Sequence, residues 1–442
     1  MSTVCECGKS ELGLFDPRPV QTSMERAAYV DVHPLTNPSG GGPIEFFIPS
    51  SSDEYIDLND SLLYIRGKVH KEDGTNLTSG ALVAFSNLPL ASLFSDVSVV
   101  INDRQIEGGN HMYPYKTYMS YLLRFNKDAV DTHVRGTDFY KDEFGKMEAT
   151  EQKGFKARIL LIEVSKAFEF SGPITLDIFQ QNRYLLPNAD VRLKFLRHKS
   201  DFSLISHDKP LSGTDPTIPQ IKGKIDLEEA ILFVRRVKVS PSVLRGHLVG
   251  LEKHNALYPV QRTEMQTFTI TTGSQSFNKE NIFRGQLPKL LVLGMVENDA
   301  FNGNLKKNPF NFQHFDLNFL ALYRDGEATP YRPFQPDFAN NLCMLDYMSL
   351  FQSLELWNRD ETIPISFEEF KSGYTLYTFN LAPDLALTGH EQPYRDGNLR
   401  LEFKFSRALP ATINVVLMAV FDGRIEITKI ARCSAGLLNL NG

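Results

Sequence analysis

Apolar and polar side chains alternate along much of this chain with a period of two. The clearest run is at residues 399–406, where Leu399, Leu401, Phe403 and Phe405 are separated by charged or polar residues. A strand with one face in a core and the other in water has this period, and a shift of one residue would turn every apolar side chain outward. Similar runs predict strands at 44–48, 55–69, 93–106, 157–164, 174–179, 191–196, 230–239, 266–271, 290–296, 317–323, 374–381, 413–421 and 425–427.

The apolar spacing changes to that of a helix at a few places. Tyr113–Phe125 carries apolar residues three and four apart, with Pro114 in its first turn, and this stripe is expected to pack in a core. Ser240, followed by proline, predicts the start of a second helix. Ser366 and Glu369 form the sequence of a capping box that opens one short helical turn. Many short strands with few helices predict an all-β protein.

Two short sequences each occur twice, in the same order. Leu62–Val69 resembles Ile231–Val239, and Val191–Phe195 resembles Leu399–Phe403. This order predicts a duplicated unit in which one strand opens each half and the other closes it. The matching strands are 129 residues apart in the first half and 168 in the second, so insertions are expected in the second half.

Proline and glycine mark the expected limits of these units. Residues 1–42 contain four prolines and a run of three glycines, which oppose helices and sheets, and they are expected to form a flexible or clamped N-terminal arm. Ser200–Lys224 is expected to be a linker. The predicted division is therefore the arm at 1–42, a first unit at 43–222 and a second unit at 223–442.

The composition of the 442 residues, with 42% hydrophobic and 23% charged, is that of an ordinary globular protein. The net charge is −6 and the arm itself is acidic, which argues against sequence-specific nucleic-acid binding and against a basic genome-wrapping arm. Four cysteines are too few for a disulfide framework and favour a reducing compartment. The sequence carries no signal segment and no apolar run of about 18 residues, so folding in the cytosol is expected.

The sequence contains none of the motifs that mark common enzymes. A Gly-x-Ser-x-Gly elbow, glycine-rich phosphate loops and His-x-His pairs are absent from it. The neighbouring carboxylates Asp142 and Glu143, and likewise Glu368 and Glu369, would suit glycoside hydrolysis only if they faced each other across a cleft about 5–10 Å wide. Adjacent residues on one short segment do not meet that condition.

Two further groups have a possible chemistry and a simpler alternative. Cys5 and Cys7 could share a soft metal ion, but two further ligands are not nearby. Lys306 and Lys307 lie in an aromatic segment that could bind nucleic acid and that is more economically an interface or the edge of a core. No catalytic, cofactor-binding or metal-binding residue is therefore predicted, and the protein is not expected to be an enzyme.

An ordered set of short sequences resembles the major capsid protein of Polinton (Maverick) elements and adintoviruses. The set covers about residues 43–430 in order, and no single member of it is chemically diagnostic. Its members are Pro43–Pro49, Asp53–Leu58, Tyr113–Tyr118, Gly285–Lys289, Asn298–Gly303, Asn308–Phe312, Gln335–Phe338, Tyr374–Tyr377 and Leu381–Leu385.

The resemblance implies two tandem eight-stranded antiparallel jelly rolls in one chain, a double jelly roll, with a few short helices in the loops. It also implies a homotrimer with a pseudo-hexagonal outline that tiles an icosahedral virion shell together with penton and minor capsid proteins. It implies synthesis in the host cytoplasm and assembly there or in the nucleus. The family brings no catalytic residue, cofactor or small-molecule substrate.

Surface loops are the expected sites of assembly. Residues 125–154 are predicted to form a long surface loop, and this loop and 298–316, the latter with Phe310, Phe312 and Phe315, are expected to supply trimer contacts or the outer tower. Two other hypotheses stay open. One is a glycan-binding or glycan-cleaving β-sandwich protein, and the other is a virus-derived protein that is resident in a host genome and has another role.

Overall fold

The computed structural model describes residues 20–208, 218–283, 285–428 and 433–436. Antiparallel strands dominate these residues. In chain order they are β1 (Met24–Val32), β2 (Ile44–Ile48), β3 (Glu54–Lys71), β4 (Leu82–Phe85), β5 (Phe94–Ile101), β6 (Arg104–Glu107), β7 (Phe168–Pro173), β8 (Val191–Arg197), β9 (Leu204–His207), β10 (Gly223–Val239), β11 (Ala256–Ile270), β12 (Ser276–Lys279), β13 (Leu290–Glu297), β14 (Leu317–Arg324), β15 (Glu327–Phe334), β16 (Leu376–Asn380), β17 (Leu399–Phe405), β18 (Ile413–Ile427) and β19 (Cys433–Gly436).

Helices lie between the strands, and three of them begin where the sequence predicts. These are Tyr113–Arg124, Pro241–Leu251 and Phe367–Phe370. At the start of the last one, the Ser366 amide donates to Glu369 Oε2 at 2.7 Å while the Ser366 hydroxyl accepts from the Glu369 amide, as in a capping box. In chain order the helices are α1 (Pro89–Ser92), α2 (Tyr113–Arg124), α3 (Lys127–Asp131), α4 (Lys153–Ile162), α5 (Ser200–Ser203), α6 (Pro241–Leu251), α7 (Asn298–Asn302), α8 (Met344–Ser353) and α9 (Phe367–Phe370).

The first sandwich consists of two four-stranded sheets. One sheet has the strand order β1-β10-β3-β7 and the other has the order β2-β8-β5-β6. Strand β8 shows why they pack, because Val191, Leu193 and Phe195 are buried while Arg192 and Lys194 are exposed. The apolar faces of the two sheets meet in a common core.

The second sandwich repeats this arrangement strand for strand. Its sheets have the orders β11-β18-β13-β16 and β12-β17-β14-β15, with β19 added beside β18. Each strand of the first sandwich therefore has a counterpart at the same place in the second: β1 with β11, β2 with β12, β3 with β13, β5 with β14, β6 with β15, β7 with β16, β8 with β17 and β10 with β18. The described residues thus hold two units of eight strands with one topology, which is the signature of an internal duplication.

One of the two repeated sequences marks this duplication and the other does not. Val191–Phe195 and Leu399–Phe403 lie on the counterparts β8 and β17. In contrast, Leu62–Val69 in β3 and Ile231–Val239 in β10 are neighbours in one sheet, where Leu63 pairs with Leu232. Adjacent strands that share one buried face need the same alternation, so their likeness reflects a common environment.

This pairing also corrects the expected division after residue 222. Strand β10 completes the first sandwich, which extends to Val239, and the second begins with β11 at Ala256. Helix α6 connects the two sandwiches, whereas the expected linker Ser200–Lys224 contains α5 and β9 in its described part. The first sandwich is the longer of the two, so the insertions expected in the second half are instead more extensive in the first.

The expected N-terminal arm is partly ordered in the residues that the structure describes. Strand β1 pairs antiparallel with β10 over Met24–Val32, so these residues form an edge of the first sandwich. Its prolines lie outside the paired residues, which is why the strand is compatible with a proline-rich segment. Residues 1–19, with Cys5 and Cys7, lie outside the described residues.

Three other local predictions are wrong. Residues 157–164 were expected to be a strand, but Phe155, Arg158 and Ile162 are buried at helical spacing in and beside α4. Residues 174–179, also expected to be a strand, end in a 3-10 turn at Asp177–Gln180. The expected surface loop 125–154 contains α3 and several buried side chains, among them Phe139.

Candidate assembly interface

A cluster of buried aromatic rings joins the two sandwiches. Tyr115 and Tyr118 come from α2 of the first sandwich, and Phe310 and Phe312 come from the segment between β13 and β14 of the second. The rings of Tyr118 and Phe310 are stacked with centroids 4.2 Å apart and planes inclined by 13°. A Cβ on Gly294 would lie 2.5 Å from the Phe312 ring, so this position admits only glycine without a shift. Phe310 and Phe312 are therefore core between the sandwiches.

A buried polar network lies beside these rings. Asp142 Oδ1 accepts from Arg158 Nη2 at 2.7 Å, and neither side chain is exposed. Asp142 Oδ2 accepts from Asn308 Nδ2 at 2.8 Å, and the backbone carbonyl of Asp142 accepts from the Tyr374 hydroxyl at 2.7 Å. Because Asp142 belongs to the first sandwich and Asn308 and Tyr374 to the second, the network fixes how the two pack.

Strand β11 supplies a second line of contacts. Its Thr263 amide donates to Asp177 Oδ2 at 2.7 Å, and its Leu257 carbonyl accepts from Arg183 Nη1 at 2.6 Å. Asp177 and Arg183 lie in the segment between β7 and β8 of the first sandwich. This segment and α2 therefore lie against one sheet of the second sandwich.

Two carboxylates share one buried lysine at this contact. Lys116 Nζ lies 2.7 Å from Asp177 Oδ1 and is also paired with Glu107. Burial raises the pKa of Glu107 to about 7, and the charge of Asp177 adds to this while Lys116 opposes it. One ammonium group does not neutralise two carboxylates, so Glu107 keeps its proton to a higher pH than an exposed glutamate does.

The sheet β11-β18-β13-β16 is buried on both faces where the first sandwich covers it. Val292 and Met418 are a cross-strand pair on its outer face and are 0% and 4% exposed. The Ser120 hydroxyl of α2 lies 3.9 Å from Met418 Sδ, which identifies α2 as part of the cover. We call this outer face the covered face.

The counterpart sheet β1-β10-β3-β7 is buried on one face only. Its outer face carries the cross-strand pairs Leu62–Phe233 and Tyr64–Ile231, and all four side chains are partly exposed or exposed. Tyr29 continues this face on β1 and is 52% exposed. We call Tyr29, Leu62, Tyr64, Ile231 and Phe233 the open face. Within the described residues, nothing lies over it as α2 lies over the covered face.

Helix α8 is the counterpart of α2. Helix α2 is the first helix after strands β5 and β6, and α8 is the first helix after their counterparts, β14 and β15. Whereas α2 is almost fully buried, α8 presents Met344 and Leu345, which are 50% and 70% exposed. Trp357 follows α8 and is 57% exposed, and Leu385, after β16, is 61% exposed. We call these four residues the apolar rim. In the first sandwich, α2 covers a sheet of the second sandwich. The corresponding helix of the second sandwich, α8, is instead partly exposed.

Three of the four acidic residues singled out in the sequence have structural partners for their carboxylates. Asp142 is held in the buried ion pair, and Glu369 caps α9 and pairs with Lys141 at 2.6 Å. Glu368 pairs with Lys371 at 2.7 Å. These carboxylates therefore stabilise the junction and the loop around α9.

The lysines of the aromatic segment are also paired. Lys306 lies 3.0 Å from Asp208, and Lys307 pairs with Glu297. Phe310 and Phe312 are 0% exposed, so they are not available to stack on bases. These positions support the alternative that the segment is an interface or the edge of a core. The spacing of residues in the sequence did not indicate which sandwich Phe310 and Phe312 would contact.

Among residues 20–208, 218–283, 285–428 and 433–436, no group of three or more His, Cys, Asp or Glu side chains is placed to hold a metal ion. In the same part of the chain, no helix has the length and apolar character to cross a bilayer.

Comparison with known structures identifies the architecture. The chain is similar to one in the cryo-EM structure of the Sputnik virophage, with a TM-score of 0.65, 14% identity, and coverage of 99% of this chain and 94% of that one. It is similar to a chain of the PBCV-1 virus capsid, with a TM-score of 0.60, 13% identity and coverage of 96% and 100%. The mavirus major capsid protein gives a TM-score of 0.56 at 10% identity, with coverage of 99% and 95%.

The fold is a double jelly roll. The predicted fold class is thus confirmed, including eight strands in each unit. By sequence, this double jelly roll is 24% identical over 414 residues to the uncharacterized protein F54H12.2 of Caenorhabditis elegans, covering 91% of this chain and 95% of that protein. No protein-family model matches the chain.

Proposed function

We propose that this double jelly roll is a major capsid protein whose copies associate side by side. The observation that carries the proposal is the difference between the two counterpart sheets: the covered face is buried by the first sandwich of its own chain, while none of the described residues covers the open face. A second copy can cover the open face with its second sandwich, through α8 and the segment around Leu385, in the way that α2 and residues 177–186 cover the other sheet.

Such a contact joins two different surfaces and repeats from copy to copy. Contacts of this kind close into a ring when a whole number of rotations from copy to copy makes one full turn. Otherwise they form filaments. Three copies place six sandwiches of one topology around an axis, which gives the pseudo-hexagonal outline expected of a homotrimeric capsomer. Permanent assemblies of this type bury more than about 2,000 Å² at each interface.

The structural relatives support the step from capsomer to virion. They belong to a virophage and to a virus capsid, and the third is a major capsid protein. We infer that trimers tile an icosahedral shell, with penton and minor capsid proteins as further partners and the virion as location. The lineage of Polinton elements and adintoviruses is part of the same proposal and is supported by the ordered sequence resemblance.

The loops predicted as assembly sites enter this proposal in a narrower form. Phe310 and Phe312 are buried within the chain and do not provide the contact, whereas Phe315 is only partly buried and stays in the proposal. The exposed part of 125–154, which includes Phe144 at 47% exposure, remains a proposed site for trimer contacts or the outer tower. Charge reversals there that leave the protein trimeric and assembly-competent would remove it from the interface.

Substitutions on the open face test the side-by-side contact. Phe233→Glu and Ile231→Glu place a charge on a partly exposed position, so each chain is expected to fold as a monomer and to lose the trimer. Leu345→Glu on the apolar rim is expected to have the same effect from the other side. Leu160→Glu, at a 63% exposed position on α4, is the matched control and is expected to stay trimeric. Trimers that persist in all three interface variants would rule out this geometry.

One observation favours a second candidate. The similar protein of Caenorhabditis elegans comes from an animal. An animal source is expected for a relative of a capsid-derived protein that is resident in a host genome. Both candidates predict the same fold and they differ in the final assembly. A chain that forms trimers but never closed shells, under any condition of salt or pH, would favour the second.

A further inference from the structure

Helix α6 has an apolar composition and yet has no buried residue. It contains Val243, Leu244, Leu248, Val249 and Leu251, and both Leu248 and Val249 are 50% exposed. A hydrogen bond of 2.8 Å between Tyr55 Oη and His247 Nδ1 ties it to the first sandwich. Val243, Leu244 and Leu251 are only partly buried against the core, so the apolar packing of this helix is incomplete within the described residues.

A groove runs between α6 and the strands beside it. Its volume is about 580 Å³, and its walls include Tyr55, Tyr184, Leu186, Leu251 and Tyr258. The helix contributes Gly246 and Gly250, one turn apart, and a Cβ built on either would meet no atom within 4 Å. The groove is therefore apolar, open and smooth on the side of the helix, and a peptide backbone can approach it closely.

The described chain begins at this groove. Ser23 accepts a hydrogen bond of 2.9 Å from the amide of Ser240, which is the residue before α6. Met24 Sδ lies 4.0 Å from the Tyr184 hydroxyl, and Tyr184 forms part of the groove wall. The first described residues thus lie next to the start of α6, and residues 1–19 are attached at this point.

The length of this segment fits the groove. The five steps from Val20 back to Phe15 span up to about 17 Å when extended, and the 11 residues of α6 are about 16 Å long. Going back along the chain from Val20, the first apolar run is Leu12-Gly-Leu-Phe15. This run can therefore reach any part of the groove without displacing β1.

The charges are complementary as well. Glu11 and Asp16 flank the apolar run. Arg183 and His254 are exposed at the groove, and among the described residues that line it there is no carboxylate. An acidic apolar peptide is thus favoured over a basic one.

We propose that residues 11–16 of the chain dock into the groove of their own α6, with Leu12, Leu14 and Phe15 against its apolar walls. Attachment at Val20 gives the segment a high effective concentration at its own groove, which favours this occupant over a free partner. The docked segment would cover the connection between the two sandwiches.

Amide hydrogen exchange tests the docking in the full chain. Residues 12–16 are expected to exchange at least about tenfold more slowly than a free peptide of the same sequence. Deletion of residues 1–19 is expected to speed exchange in α6, and a synthetic peptide of residues 8–19 is expected to restore its protection. The matched control peptide carries Leu12→Asp, Leu14→Asp and Phe15→Asp and is expected to have no effect.

Gly250→Leu tests the groove without removing the segment. The added side chain fills the groove, and leucine favours a helix more than glycine does, so the protein is expected to fold. In this variant, residues 12–16 are expected to exchange as a free peptide does. Val249→Ala, on the exposed side of the same helix, is expected to keep them protected.

Three results would overturn the proposal. The first is free-peptide exchange of residues 12–16 in the unaltered chain, and the second is protection that survives Gly250→Leu. The third is protection that depends on protein concentration, since the segment would then occupy the groove of a second copy. The same measurement on the Phe233→Glu monomer separates this proposal from the assembly proposal, because docking within one chain does not require a trimer.

Discussion

Tyr118 stacks on Phe310 across the boundary between the two sandwiches, with ring centroids 4.2 Å apart. Both side chains are 0% exposed, so this contact holds the two halves in one body. Phe310→Ala would leave a cavity at the junction and is expected to lower the free energy of unfolding by about 3–5 kcal/mol. Chemical denaturation measures the loss. Phe144→Ala, at a 47% exposed position, is the control and is expected to change it by less than about 0.5 kcal/mol. Equal effects of the two substitutions would contradict this role.

The ion pair of Arg158 and Asp142 gives a second prediction. Arg158→Met leaves the Asp142 carboxylate buried and without its cation, which is expected to cost about 3–5 kcal/mol of unfolding free energy. In the double variant Arg158→Met with Asp142→Leu, the unpaired charge is also removed, so part of the loss is expected to be recovered. A double-mutant cycle measures this coupling. Losses that simply add would mean that the two side chains act independently.

The cluster of Glu107, Lys116 and Asp177 predicts a dependence on pH. The pKa of Glu107 rises from 4.5 to about 7 in the folded protein, chiefly through burial. Between these values the folded chain holds a proton that the unfolded chain releases, so stability is present at low pH and is lost as pH rises towards 7. The slope is at most about 1.4 kcal/mol per pH unit.

Glu107→Gln is expected to remove this slope, because the amide cannot ionise. Unfolding free energies measured from pH 5 to 8 on both proteins isolate the contribution of Glu107 from those of other groups. Glu72→Gln, an exposed position beyond β3, is the control and is expected to leave the profile unchanged. A profile of Glu107→Gln that parallels the original would show that Glu107 does not bind the proton.

Local patterns in the sequence predicted the all-β class and many of the individual strands, whereas the double jelly roll was implied by the family resemblance. The alternation in Leu399–Phe405 identifies β17 correctly, and its likeness to β8 reflects equivalent positions in the two sandwiches. The likeness of β3 to β10 looks the same in the sequence but arises from adjacency in one sheet. Alternation reports only which face of a strand is buried, so it does not distinguish a repeated strand from a neighbouring one.

The candidate interface was less accessible to sequence reasoning. Phe310 and Phe312 were expected on an assembly loop, but they are buried against Tyr115 and Tyr118 of the same chain. Aromatic content indicates burial and does not identify the partner. The open face became visible only through comparison of the two counterpart sheets, since the side chains of Leu62 and Phe233 are apolar in the same way as those of the core.

The mass of the purified chain in solution tests the central claim most directly. One chain has a mass of 50.0 kDa, so the account predicts a single species of about 150 kDa by light scattering, with hexagonal particles or shells in negative-stain images. This species should dissociate to monomers in the Phe233→Glu variant. A stable monomer of the unaltered chain across protein concentration, above all one that binds saccharides, would contradict it.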